Sequence, residues 1–230
     1  MSASAPRANP GHPWDALSDY FDTTGNEEEI AAGAADNILI AWPAIFRCID
    51  AAEPPLSGGR ALDFGCGTGS FAHALHMRGF RVTGIDVSAA MIARARAAYG
   101  DEVEFLVDDG STLAEHPTYA LIASMMALQF VPEIEALVTR FAVALEPGGR
   151  LVFAVHNPAF FRGDVLRFQG GVEIPIFIRT ADDYHALARD AGLAPVFEEY
   201  PPFTEAFLAR YPVYAGRDAP EYLVLGYEKP

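Results

Sequence analysis

Three glycines, Gly65, Gly67 and Gly69, alternate through "ALDFGCGTGSF" (61–71), immediately after a short apolar run that carries Asp63. Glycine admits positive φ and has no Cβ, so a ligand can lie directly against such a main chain. A helix opening just beyond would add unpaired N–H groups for an electron-rich group. Asp86 ends the next apolar run, "RVTGID". A carboxylate there can accept two hydrogen bonds from a ribose diol. The pattern is D-x-G-x-G-x-G. A pyrophosphate-binding G-x-G-x-x-G needs glycine at position 70, where Ser70 stands, which argues against a nicotinamide dinucleotide.

His156 ends a later apolar run, "RLVFAVH". It is a candidate base for a hydroxyl or phenol; the competing reading has His156 and Asn157 shaping the turn before Pro158. Cys66 has no basic neighbour in sequence and reads as a small filler of the loop rather than a nucleophile. His73 and His76 are helically spaced but have no acidic or cysteine partner close by, so no metal site is expected.

The elements that must hold these residues alternate. "RALDF", "RVTGIDV", "VEFLVDD", "YALIAS" and "RLVFAVH" are short, apolar and branched or aromatic, as buried parallel strands are. Helical stretches separate them. One runs from Phe71 to Gly79. A second is capped by Ser88 and closed by Gly100, and a third opens near Pro132 and ends at "PGG" (147–149). "LAPVFEEY" and "EYLVLGYEK" read as a closing antiparallel pair. The expected fold is α/β: a doubly wound, mostly parallel, seven-stranded Rossmann-like sheet with an antiparallel closing strand. Residues 1–13 read as a disordered tail and 14–230 as one domain. Its parts are a helical cap (14–52), a core (60–156), an inserted hairpin lid around Gly170–Gly171 (157–180), and a C-terminal helix with the strand pair (181–230).

At 230 residues and 51% hydrophobic composition, the chain can bury a real core. A net charge of −15 repels phosphate backbones and argues against nucleic acid. No apolar run is long enough for a membrane helix, and the N-terminus lacks a signal-peptide pattern. Two cysteines, Cys48 and Cys66, fit a reducing compartment, so a cytoplasmic location is expected.

From about Arg60 to Val155 the chain resembles the class I S-adenosylmethionine-dependent methyltransferases, specifically the small-molecule group. "LDFGCGTG" is similar to the family's glycine motif, which implies that Asp63, Gly65, Cys66, Gly67 and Gly69 face the cofactor. "GIDVSAAMI" resembles its second motif, implying Asp86 as the ribose carboxylate and Val87 with Met91 as an apolar bed for adenine. "VDDGSTL" (107–113) resembles the third. Asp109 and Gly110 match best as the acid and main-chain N–H that read adenine, and Asp108 is the alternative. "YALIASMMALQFVPE" resembles the fourth-strand motif, with Ser124 and Met125 beside the sulfonium and Gln129 and Phe130 opening the acceptor pocket. The chain departs at Ala120, where an aspartate is usual. Tyr20 resembles the tyrosine of an N-terminal capping helix in relatives.

The resemblance implies S-adenosylmethionine as cofactor, S-adenosylhomocysteine as product, and a small-molecule acceptor, O-methylation ahead of N- or C-methylation. Other chemistry on the same cofactor, or a protein acceptor, are the alternatives. Asn157, Phe160 and Arg179 are candidate acceptor contacts, Arg179 as an anchor for a carboxylate. A homodimer is compatible with the sequence.

Overall fold

The computed structural model describes residues 11–21, 35–113 and 119–230. Most of the expected N-terminal tail and residues 22–34 of the expected cap lie outside the described residues.

The central sheet has the order β3-β2-β1-β4-β5-β9-β8. β1 (Arg60–Phe64) pairs in parallel with β2 (Arg81–Asp86) on one side and β4 (Tyr119–Met125) on the other. β3 (Glu104–Val107) extends the first side and β5 (Leu145–His156) the second. β9 (Tyr222–Glu228) is antiparallel to both β5 and β8 (Ala194–Glu199), so one strand closes the sheet against the grain, as expected. The chain works outward from β1 to β3 and then returns across β1 to β4. That reversal opens a crevice beyond the carboxyl ends of β1 and β4.

Neighbouring residues of one strand feed two cores because strand side chains alternate faces. Ala61, Leu121, Val152 and Val224 pack on one face, under α1 (Trp42–Asp50), α2 (Ser70–Met77) and α3 (Ala89–Tyr99). Leu62, Ile122, Phe153 and Leu225 pack on the other, against α4 (Ile134–Ala144) and α5 (Ala181–Asp190). Both faces being covered explains why the strands read as continuous apolar runs. Ala120, the departure from the family pattern, is buried. A Cβ on Gly59 would come within 2.5 Å of its methyl, so the two strand starts pack closely only because Gly59 is bare.

Ser88 caps α3 as expected, its hydroxyl accepting from Met91 N at 3.1 Å. Thr180 and Asp183 form a reciprocal capping box on α5. Both expected boundaries hold, with a difference in detail at each. Gly100 follows α3 with φ −65°, so it continues the right-handed path instead of reversing it. Pro132 precedes α4 by two residues, because Glu133 is the cap. In the described part of the cap the second helical segment is present, and the first is shorter than expected. Residues 13–17 form a 3-10 turn, and Asn37–Ala41 is a π-helical segment that runs into α1 through Pro43.

The insertion after β5 holds the expected hairpin, β6 (Val165–Arg167) with β7 (Glu173–Pro175), turning at Gly170–Gly171. It does not stand alone. Phe168 and Ile174 pack with Trp14, Leu17 and Phe21 of the N-terminal strap and with Met91 of α3, a third apolar cluster spanning the crevice. α6 (Glu205–Arg210) lies between β8 and β9. No helix of the described residues is long and apolar enough to cross a membrane.

Candidate active site

The crevice at the switch point is a cavity of about 660 Å³, within the size range of small-molecule sites. The glycine loop forms its floor, and the three glycines serve different ends. Gly67 has φ +53°, and a Cβ there would meet nothing within 4 Å, so its bare face opens into the cavity. A Cβ on Gly65 would strike the Ala127 methyl at 2.2 Å, where the chain leaves β4. A Cβ on Gly69 would strike the Phe105 ring at 2.8 Å, and Gly69 does not line the cavity. Gly65 thus lines the cavity but is bare for packing, Gly69 is bare for packing behind it, and Gly67 is bare for a ligand.

Asp86 holds this floor in shape. Its Oδ2 accepts from Gly67 N at 3.0 Å and its Oδ1 from Ser88 N at 2.8 Å. Burial raises its pKa despite these bonds. Asp63 lies beneath, fully buried, and neither of its oxygens has a hydrogen-bond partner among the described residues. Burial, then the neighbouring charge of Asp86, pushes its pKa up to about 8.

This orphan acid has a consequence for stability. Its native pKa exceeds the unfolded value, so the native state binds the extra proton and loses stability as pH rises from about 4 to 8. We expect Asp63→Asn to raise the melting temperature of the ligand-free protein at pH 8 and to change it little at pH 4. Thermal scans across that range check this; equal shifts at both ends would contradict it.

The remaining expected cofactor residues divide. Tyr20, Cys66, Val87, Met91, Asp109 and Met125 line the cavity, and so does Asp108. Gly110 does not; its N–H is held by Asp108 Oδ1 at 2.6 Å. Ser124 is also behind the wall, its hydroxyl donating to Phe64 O at 2.9 Å.

Among expected acceptor residues, Gln129, Phe130 and His156 line the cavity. Asn157 does not: it caps the turn after β5, donating to Pro220 O and accepting from Ala159 N. Phe160 lies under the Arg217 guanidinium, outside the lining. Arg179 spends its donors on Phe177 O, Val131 O and Pro132 O, so it ties the exit of β4 to the hairpin rather than meeting a carboxylate in the cavity. The His156 ring stacks on Phe161 at 5.1 Å, and burial lowers its pKa to about 4. It is a neutral imidazole at physiological pH.

Several lining residues were not among the expected site residues. His12, Trp14, Phe21 and Phe168 form the roof. Asp15 pins that roof by accepting from the Ser88 hydroxyl at 2.6 Å and Ala90 N at 3.2 Å, and Thr68 donates to Phe21 O at 3.0 Å. Met126 has φ +55°, which is strained for a side chain of its size and sits at the mouth of β4 beside the floor. Asp36, Asn37, Trp42 and Glu221 line the cavity as well. The polar lining is dominated by carboxylates: Asp36, Asp63, Asp86, Asp108, Asp109, Glu133 and Glu221.

A methyltransferase-domain family matches residues 43–198, which spans the floor, both switch-point strands and the crevice wall. The chain belongs to this family. The cleft fits S-adenosylmethionine: a sulfonium and an ammonium are cations, and the cavity offers the buried acid Asp63, with no hydrogen-bond partner of its own among the described residues, and a bare loop face. The chain is 40% identical over 108 residues to the ubiquinone biosynthesis O-methyltransferase of Xylella fastidiosa (strain 9a5c), covering 45% of this chain and 44% of that protein. The chain thus spans less than half of that relative's length. It is 29% identical over 199 residues to the 27-O-demethylrifamycin SV methyltransferase of Amycolatopsis mediterranei, covering 80% and 73% respectively. An S-adenosylmethionine-dependent methyltransferase from Mesorhizobium loti superposes with a TM-score of 0.67 at 25% identity, over 82% of this methyltransferase and 97% of that chain.

Proposed function

We propose that this methyltransferase transfers a methyl group to a small-molecule acceptor, with a hydroxyl oxygen favoured as the methylated atom. The observation that carries this reading is the single cavity that joins the bare Gly67 face to a second arm at the ends of β4 and β5. Two of the relatives above are O-methyltransferases by name, acting in ubiquinone biosynthesis and on a rifamycin, which supports oxygen over nitrogen or carbon.

S-Adenosylmethionine supplies a methyl group on a sulfonium, already attached to a good leaving group. What remains for the protein is placement. Asp86 and the Gly67 face hold the ribose and methionine parts, with the Asp63 carboxyl beneath, protonated in the free protein and able to ionise against the cation. Val87 and Met91 bed the adenine, and the Asp108–Asp109 turn faces its polar edge. Trp14, Tyr20, Phe21, Phe130 and Phe168 close the roof as a lid and exclude water, their rings meeting edge-on or tilted at 4.7–6.1 Å. His156 and Gln129 orient the acceptor.

A neutral His156 can accept a hydrogen bond from an acceptor hydroxyl, but its low proton affinity suits it to orientation more than to proton removal. We therefore expect kcat/KM to show no histidine limb between pH 5 and 7, and His156→Ala to raise KM more than it lowers kcat. A limb near pH 6.5 that disappears in the variant would contradict this. The reaction itself is tested by incubating small-molecule extracts with methyl-labelled cofactor. A labelled small product heavier by one methylene supports the proposal; label appearing only in protein, or cofactor consumed without methyl transfer, refutes it.

A further inference from the structure

The acceptor arm ends in a group of unmatched hydrogen-bond acceptors. His156, the last residue of β5, pairs in register with Tyr222, the first of β9, and Asn157 N donates to Glu221 O at 2.8 Å. Glu221 therefore sits at the carboxyl end of β5, where it meets Asp36 from the segment entering α1. Both carboxyl groups line the cavity, and the charge of Asp36 raises the pKa of Glu221. Tyr222 fixes the arrangement by donating to Asn37 Oδ1 at 3.0 Å.

Two oxygens in this arm have no partner among the described residues. Glu221 Oε2 is enclosed and unbonded. Gln129 Oε1 is also unbonded on a side chain only 1% exposed, and its orientation is fixed because Nε2 donates to Met126 O at 2.9 Å. The Gln129 oxygen can only accept, and Glu221 is acceptor-only once it ionises. A buried acceptor left without a donor is costly, and a native site that keeps two of them is built for a ligand that brings donors. Trp42 and Tyr222 line the same cavity.

We propose that the Asp36–Glu221 carboxyl pair, with Gln129, anchors a cationic ammonium group on the acceptor, a specificity contact distinct from the atom that is methylated. This rests on the methyl-transfer reading of the same cavity. An ammonium has three donors and a charge, which matches two acceptor oxygens and a carboxyl pair. An acceptor carboxylate would be repelled, and a neutral hydroxyl would satisfy one oxygen at most.

The surroundings agree. Burial, and then the charge of Asp36, push Glu221 up to about 8, while Arg217 offsets this only in part. The Arg217 guanidinium lies over the Phe160 and Tyr214 rings. Tyr214, Tyr222 and neutral His156 are the other titratable groups at the pair, and none supplies a positive charge. Near pH 7 the free protein thus keeps Glu221 largely protonated. An arriving ammonium lets it ionise, and that proton leaves to solvent.

The test uses the full chain saturated with S-adenosylhomocysteine and titrated calorimetrically with three probes that differ in one group: 2-phenylethylammonium, 2-phenylethanol and 3-phenylpropionate. The expected order is ammonium first, by at least about tenfold over the alcohol, and carboxylate last. Near pH 7 the ammonium should release protons, read from the buffer dependence of the heat. Glu221→Gln and, as a second variant, Asp36→Asn should erase the preference while S-adenosylhomocysteine affinity stays within about threefold. No binding of the ammonium, equal binding of the carboxylate, or a preference unmoved in both variants would overturn the proposal. The S-adenosylhomocysteine titration is read separately. Its failure contradicts the methyl-transfer reading, and the probe order is then measured on the protein alone.

Discussion

Gly67→Val should abolish cofactor binding, with affinity falling by at least about a hundredfold, while the protein stays folded. The Cβ position at Gly67 is open to the cavity, so the new methyls displace ligand and not protein. The left-handed backbone at φ +53° adds a strain of roughly 1–2 kcal/mol, small against a domain's stability. Gly69→Val, two residues on and identical in local pattern, should fail in the opposite way. Its side chain collides with the Phe105 ring and the Ala95 methyl inside the core, so the variant loses melting temperature first and affinity only through misfolding. Calorimetric titration paired with a thermal scan separates the two. Equal affinity losses at equal stability would show that the glycines act alike and that the floor is misassigned.

Asp86→Ala carries the second large effect. The carboxylate joins Gly67 N and Ser88 N, so removal frees the loop and the start of α3 together. Loss of charge-assisted hydrogen bonds of this kind costs about 1.5–3 kcal/mol, so S-adenosylmethionine affinity should fall by roughly tenfold to a hundredfold. Asp63 should respond too. Relieved of its neighbour's charge, it titrates lower, and the loss of stability towards pH 8 becomes shallower. Unchanged affinity would remove Asp86 from the ribose role.

The strands were legible because both sheet faces are covered, which leaves Leu62, Ile122 and Phe153 in uninterrupted apolar runs. The cofactor end was legible because Asp63, Gly67 and Asp86 lie within one β-α-β unit, where sequence spacing maps onto space. What each glycine does was not. The rings and methyls that explain Gly65 and Gly69 come from Ala127 and Phe105, tens of residues away. The acceptor arm was the least legible. Asp36, Glu221 and Gln129 come from three distant segments and line one cavity only because β9 inserts beside β5. Arg179 misled for the same reason, since its partners Val131 and Pro132 lie across the fold.

A crystal structure of the protein grown with S-adenosylhomocysteine bears on all of this at once. The adenosine should lie over Val87 and Met91 with its ribose at Asp86, and the amino-acid end should rest on Gly67 above Asp63. Density for the compound outside this cleft, or NADH displacing it from the cleft in competition, would contradict the assignment of fold to function.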